Sequence, residues 1–169
     1  VYNGHPDVHN DGDEMYASTE RIWDIINSMR LTQFDLPLLY GLATDDGHYY
    51  HNIPSRASEP GRGWVNVLAA ELTPASLIEN MEAGRFYASS GVTLDEITST
   101  KTSLSVVVRP DSDATYRIDF IGTASGFDPN SEPYRGKDGK KLAVTRKYSS
   151  EIGQILKSVE GTKATYEYT

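Results

Sequence analysis

Tyr40-Gly41-Leu42-Ala43-Thr44-Asp45-Asp46-Gly47-His48-Tyr49-Tyr50 is the stretch on which the reading of this chain turns. The apolar run Leu38 to Ala43 has the length and composition of a buried strand, and it delivers two carboxylates and an imidazole at its carboxyl end. Asp46 and His48 form an Asp-x-His pair, and both side chains are good ligands for a divalent metal. In β/α barrels, catalysis is built at the carboxyl ends of the strands. Two donors do not close a metal site, so the other ligands must come from elsewhere.

Working outward, Val1-Tyr2 reads as a strand stub ending in the turn-forming pair Asn3-Gly4. His5 to Glu14 is polar, with no hydrophobic period, and reads as a loop. Ser18 has the character of a helix N-cap, with Glu20 in the first turn. Ile22, Ile25, Ile26 and Met29 then fall at i, i+3, i+4 and i+7, which predicts a helix over about 19–30 whose apolar face Trp23 widens. After the central strand, Asn52 to Gly63 is a Gly/Pro-rich connection, and Trp64 to Ala69 reads as a strand. Thr73-Pro74 is a helix start, with an N-cap followed by proline at N1. Leu77, Ile78 and Met81 form its stripe, Gly84 its stop, and Arg85 to Ala88 the next strand. This alternation of strands and helices predicts an α/β arrangement with parallel strands.

The pattern changes after Gly91. Thr93 to Thr98, Leu104 to Arg109 and Tyr116 to Gly122 have strand length and are separated by Asp, Ser, Pro and Gly turns. Asp128 to Lys141 reads as a polar loop, and its basic run Arg135 to Lys141 as a solvated hairpin loop. Leu142 to Thr145 and Thr165 to Tyr168 are short strands, and Ser149 to Leu156 is either a strand or one helical turn. The expected organisation is therefore residues 1–92 as an α/β unit and residues 93–169 as a small antiparallel, sandwich-like β domain.

Composition narrows the function classes. A chain of 169 residues with 38% hydrophobic and 10% aromatic residues has enough apolar material for a folded core. The net charge of −8 argues against non-specific nucleic-acid binding, which needs clustered Lys and Arg. No apolar run approaches the ~20 residues that span a bilayer, so membrane insertion is not expected. The absence of cysteine excludes disulfides, thiolate metal sites and Cys nucleophiles, and leaves the compartment open. The chain begins Val-Tyr-Asn-Gly, with strand character from its first residues, and the expectation is a piece of a longer protein.

Four segments occur in a recognisable order: Val1-Tyr2-Asn3-Gly4-His5-Pro6, Tyr40 to His48, Pro60-Gly61-Arg62-Gly63-Trp64, and Arg85-Phe86-Tyr87-Ala88-Ser89-Ser90-Gly91-Val92. Together they resemble the carboxyl-terminal part of metallohydrolases of the polymerase and histidinol phosphatase (PHP) superfamily, nearest to the subgroup of carbaryl hydrolase-like proteins. Tyr116 to Thr123 and Tyr148 to Gly153 look like the β-rich extension that some of these proteins carry. The resemblance implies that residues 1–92 are the C-terminal portion of a distorted seven-stranded β/α (PHP-type) barrel whose strand ends hold two or three divalent ions (Zn, Mn or Fe). Asp46-Gly47-His48 matches the family's last metal motif, whereas its His-x-His and intermediate His and Glu ligands have no counterpart here. The missing ligands would then precede Val1, and this chain alone would be inactive.

The residues divide accordingly. Asp46 and His48 are the metal candidates, against the plainer reading of a polar turn after a strand. Asp45 is expected to be a turn residue or to support the site, orienting His48 by accepting its free ring N–H. His5, at the same end as His48, is the catalytic candidate, as a donor to substrate or a proton shuttle, or else a solvated loop histidine. Arg62, between glycines, offers a planar fork to an anionic or polarised substrate oxygen, or else packs on Trp64. Asn3 reads as a turn or hydrogen-bonding residue, His9 and His51 as loop residues, and Tyr49 and Tyr50 as a pocket mouth. There is no Gly-x-Ser-x-Gly elbow and no phosphate-binding Gly-x-x-x-x-Gly-Lys-Ser/Thr loop.

The expected activity is hydrolysis of a phosphoester, or of a carboxylic or carbamate ester, by a metal-activated water acting on a small-molecule substrate. The alternative is a catalytically silent fragment whose β-rich half contacts a protein or a carbohydrate. In either case, open barrel edges would favour self-association.

Overall fold

The computed structural model describes residues 1–51, 53, 54, 58–136, 139, 144 and 146–168. The chain divides into two compact units, Val1–Gly91 with Ser131–Lys147, and Val92–Asn130 with Tyr148–Thr169.

The first unit opens with strand β1 (Tyr2–Asn3), helix α1 (Thr19–Gln33) and strand β2 (Ala43–Thr44). Ser18 caps α1 by accepting from the Arg21 amide at 3.1 Å, and Glu20 and Arg30 complement the dipole at its two ends. β1 and β2 run parallel, with Tyr2 opposite Ala43 and Asn3 opposite Thr44. The Tyr2 amide donates to the Leu42 carbonyl (3.0 Å) and the Gly4 amide to the Thr44 carbonyl (2.8 Å). The strand expected over Leu38 to Ala43 is shorter than its composition suggests because α1 captures its backbone. Asn27 both donates to the Leu39 carbonyl (3.1 Å) and accepts from the Leu39 amide (2.8 Å). Trp23 donates to the same carbonyl (2.7 Å), and Arg30 donates to that of Pro37 (2.7 Å). Groups spent on side chains cannot enter a ladder. The cost shows on the helix, where Asn27 and Ser28 are buried while Ile22 and Ile26 stay 47% and 40% exposed.

Strand β3 (Trp64–Val67), helix α2 (Pro74–Glu82) and strand β4 (Phe86–Ser89) follow. Thr73 caps α2 with Pro74 in its first turn, and Gly84, at φ +71°, turns the chain out of the helix. The Cβ of any other residue at Gly84 would lie 2.4 Å from the Tyr40 ring, which also meets Phe86 edge-on.

In the second unit, β5 (Leu94–Ser99) and β6 (Ser103–Val108) form a hairpin and β7 (Arg117–Gly122) follows. The chain then passes through Ser131–Lys147 of the first unit, where β8 (Ser131–Pro133), within the segment expected as a polar loop, pairs with β9 (Arg146–Tyr148), and Arg146 donates to both the hydroxyl and the carbonyl of Ser131. β10 (Gln154–Glu160) and β11 (Lys163–Glu167) complete the second unit. The order β11-β6-β5 makes one antiparallel sheet, and β10-β7 makes an antiparallel ladder with an irregularity between Ile155 and Lys157. Phe120 of β7 stacks on Tyr166 of β11, with centroids 5.6 Å apart. Val108, Phe120, Ile152 and Ala164 are the buried apolar side chains of this unit among the described residues.

The expectation of a seven-stranded β/α barrel is overturned. The described residues form small, mostly antiparallel sheets with two helices, and the parallel pairing is confined to β1 and β2. The decisive step is the return from α2. A parallel return would bring the chain back beside Trp64, but the helix ends beside Leu68, whose amide donates to the Arg85 carbonyl (2.9 Å). β4 therefore runs back along β3, pairing Val67 with Phe86 and Trp64 with Ser89, and α2 sits within a wide hairpin. Much of the basic run 135–141 and of the strand expected at 142–145 lies outside the described residues. Among the described residues no helix is long and apolar enough to cross a membrane.

Burial in the second unit sets a contrast between neighbours on one strand. Phe120→Ala is expected to cost about 3–5 kcal/mol. Ile121→Ala, at a position 49% exposed, should cost less than about 1 kcal/mol. Denaturant unfolding of the two variants checks this difference.

Candidate functional site

Because β1 and β2 are parallel, the residues that follow each strand emerge at the same end. Asn3 links them, donating from Nδ2 to Asp46 Oδ2 (3.2 Å) and accepting the His5 amide at Oδ1 (2.8 Å). Its own backbone is held by Asn10, which accepts from the Asn3 amide (3.0 Å) and donates to the Asn3 carbonyl (2.7 Å). The His5 and His48 rings meet edge to face, with centroids 5.6 Å apart and planes at 85°. Asp46, between them in sequence, has φ +48°, a left-handed conformation that aspartate tolerates better than most residues.

His48 is held from several directions. Its Nδ1 lies 2.7 Å from the Asp46 carbonyl oxygen, 3.1 Å from Ser58 Oγ and 3.8 Å from Asp46 Oδ1. The amides of His48 and Tyr49 both donate to the Ser58 carbonyl at 3.0 Å. Ser58 itself is 1% exposed. The Tyr50 hydroxyl donates to the Gly47 carbonyl and closes the turn from the other side.

Asp45 has a different task from the one its sequence suggests. Its Oδ1 accepts from the backbone amides of Arg62 (2.7 Å) and Gly63 (2.8 Å), and the hydrogen bond to the His48 ring is made by the Asp46 carbonyl instead. The Gly63 amide holds the Asp45 carboxyl below the usual carboxylate range, opposed by desolvation and aided by the amides of Gly61 and Arg62. Two glycines permit the approach. A Cβ at Gly63 would lie 2.9 Å from the Thr44 carbonyl oxygen and from the Tyr2 ring, and one at Gly4 would lie 2.7 Å from Arg62 Cβ. Arg62 donates from Nη1 to the Gly4 carbonyl (3.3 Å), and its Nη2 lies 3.6 Å from Glu59 Oε1.

His5, Asp46 and His48 are therefore brought together, with Arg62 beside them through Gly4. His9 is not part of this group. It pairs with Asp13 (2.7 Å) and stacks on Tyr16. Two clefts of the first unit, of about 480 and 450 Å³, are lined by other residues, including Tyr2, Ser18, Trp23 and Leu42. Ser58 has no signal in the sequence, because a serine in a Gly/Pro-rich connection reads as solvated until its contact across the turn is seen.

The donor set can be tested against a divalent ion. An exposed carboxylate and an imidazole have the right chemistry for Zn, Mn or Fe. Among the described residues, however, no group of three or more His, Asp or Glu side chains could hold one. Asp46 and His48 offer one corner of such a site and do not close it.

The Asp45 clamp carries a pH signature. Its folded-state pKa is depressed, so its contribution to stability is present above the ordinary carboxylate value near ~3.9 and is lost as pH falls through the lower folded value. Asp45→Asn should reduce stability near neutral pH and flatten its loss below about pH 4. Unfolding curves of the two proteins across that range give the comparison.

No protein-family model, curated protein or solved structure matches the chain.

Proposed function

We propose that this chain contributes to a hydrolytic centre acting on phosphoester, carboxylic ester or carbamate bonds. The observation that carries this reading is the meeting of His5 with Asp46 and His48 where the parallel strands β1 and β2 end. Their side chains are open to a substrate, Asp46 at 41% and His48 at 61% exposure. Asp46 and His48 would be donors to a divalent ion whose remaining ligands are not among the described residues. Such an ion supplies a water of lowered pKa and polarises the ester oxygen. His5 donates a hydrogen bond to the substrate, and Arg62, steadied by Gly4 and Glu59, faces the more anionic part of it.

The test uses the chain expressed with its flanking coding sequence. Hydrolysis of p-nitrophenyl acetate or p-nitrophenyl phosphate should depend on Mn²⁺ or Zn²⁺ and fall at least about 100-fold in His48→Ala. Metal-independent turnover that is indifferent to Asp46→Ala and His48→Ala would sink the reading.

The same proposal extends to association. Ile22, Ile26, Leu38, Leu39 and Leu42 leave exposed apolar side chains on α1 and on the segment after it, which a second copy could cover. Sedimentation velocity of the 169-residue chain should show concentration-dependent self-association. A compact monomer at every concentration is the contrary result.

A further inference from the structure

We propose that the backbone at the ends of β1 and β2 fixes His5 and His48 in opposite tautomers, and that Ser58 is a positioning residue for the second of them. The inference rests on the reading of these two histidines as the working groups of the site.

The protons follow from the heavy-atom partners. A carbonyl oxygen only accepts, so the 2.7 Å contact between His48 Nδ1 and the Asp46 carbonyl requires a proton on Nδ1. The other neutral tautomer would set a nitrogen lone pair against an oxygen lone pair at that distance. Ser58 Oγ, 3.1 Å from the same nitrogen, accepts a second share of that proton, and the burial of Ser58 keeps water from replacing it. The contact lies in the turn where Asp46 is left-handed, at φ +48°, and its own carbonyl meets the ring two residues on. His48 consequently presents a bare Nε2 as an electron-pair donor.

His5 is read in the reverse sense. Its Nδ1 accepts from the Asp7 amide at 3.2 Å, which requires that nitrogen to be unprotonated. The Asp7 carboxylate, 4.0 Å away, is beyond hydrogen-bond distance and does not compete for a proton there. In the neutral ring the proton is then on Nε2, and His5 presents an N–H donor.

Two imidazoles 5.6 Å apart thus show a substrate one acceptor and one donor. A polarised ester or phosphoryl oxygen can take the hydrogen bond from His5, while His48 offers its lone pair to a metal ion or to the proton of a water. Two identical tautomers would repeat one function and lack the other. The assignment sharpens the substrate class to one with an accepting oxygen within reach of His5 Nε2–H.

Long-range ¹H–¹⁵N correlation spectra of the histidine-labelled chain test this, recorded about two pH units above the ordinary imidazole value. The chain has four histidines, and single His→Gln variants assign them. The expected result is a protonated Nδ1 and bare Nε2 for His48, with the reverse for His5. The Nε2–H form at His48, or the same tautomer at both residues, overturns the proposal. Ser58→Ala should shift His48 toward a mixture of tautomers, and Ser58→Thr should restore the wild-type spectrum. If Ser58→Ala does not fold, Ser58→Cys keeps the side-chain size and weakens the hydrogen bond, giving the same comparison. An unchanged His48 spectrum in the folded variant removes Ser58 from the positioning role. Opposite tautomers in this chain, together with no Mn²⁺- or Zn²⁺-dependent hydrolysis by the protein expressed with its flanking coding sequence, would sink the hydrolase reading and leave this assignment standing.

Discussion

The first unit's polar site depends on one carboxylate. Asp45 Oδ1 takes the amides of Arg62 and Gly63 and ties the end of β2 to a loop seventeen and eighteen residues further along the chain. That tie brings Gly63 against Thr44 and Gly4 against Arg62, at separations that leave no room for a Cβ. It also returns the loop so that Ser58 reaches His48. A charge-assisted hydrogen bond to backbone amides is among the stronger contacts a short turn can make. Here it substitutes for the ladder that a longer β2 would have provided.

The length of β2 is set by a competition that α1 wins. Asn27, Trp23 and Arg30 satisfy backbone groups of residues 37–39, so that segment is anchored to the helix and leaves only Ala43 and Thr44 to pair with β1. The exchange satisfies polar groups and sacrifices apolar burial. Among the described residues of the first unit, Ala43 is the one buried apolar side chain, while Ile22 and Ile26 of α1 are half-open to solvent. At ~25 cal/mol per Å² of apolar surface, that face carries free energy which this fold leaves unused.

The second unit is built on the opposite economy. Its strands pair antiparallel, its buried side chains among the described residues are apolar, and its polar side chains bond to one another across and along the strands. Asp119 shows the pattern, accepting from Ser158 across the ladder (2.6 Å) and from Arg117 on its own strand (3.0 Å). The Ser158 hydroxyl holds that carboxyl below its usual range, opposed by desolvation and aided by Arg117.

What the sequence determined by itself was local. The Ser18 cap, the Thr73-Pro74 start and the Gly84 stop are decided within one helical turn, and both helices stand where those residues put them. The positions of β5, β6 and β7 follow from alternation and turns in the same way, whereas β10 (Gln154–Glu160) begins late in the segment 149–156 expected as a strand or one helical turn and runs beyond it. The residue types of the site were legible too, since Asp46, His48 and His5 announce their chemistry wherever they lie. Tertiary structure decided the rest. Whether β4 runs parallel or antiparallel to β3 depends on where α2 delivers the chain, and no residue encodes that locally. Asp45 serves the loop and not the histidine because the amides of Arg62 and Gly63 occupy its Oδ1. Ser58 is buried beneath His48 because that loop folds back. Hydrogen bonds over a few residues are written in composition and spacing, whereas partners that meet across a closed loop exist only once the chain has returned.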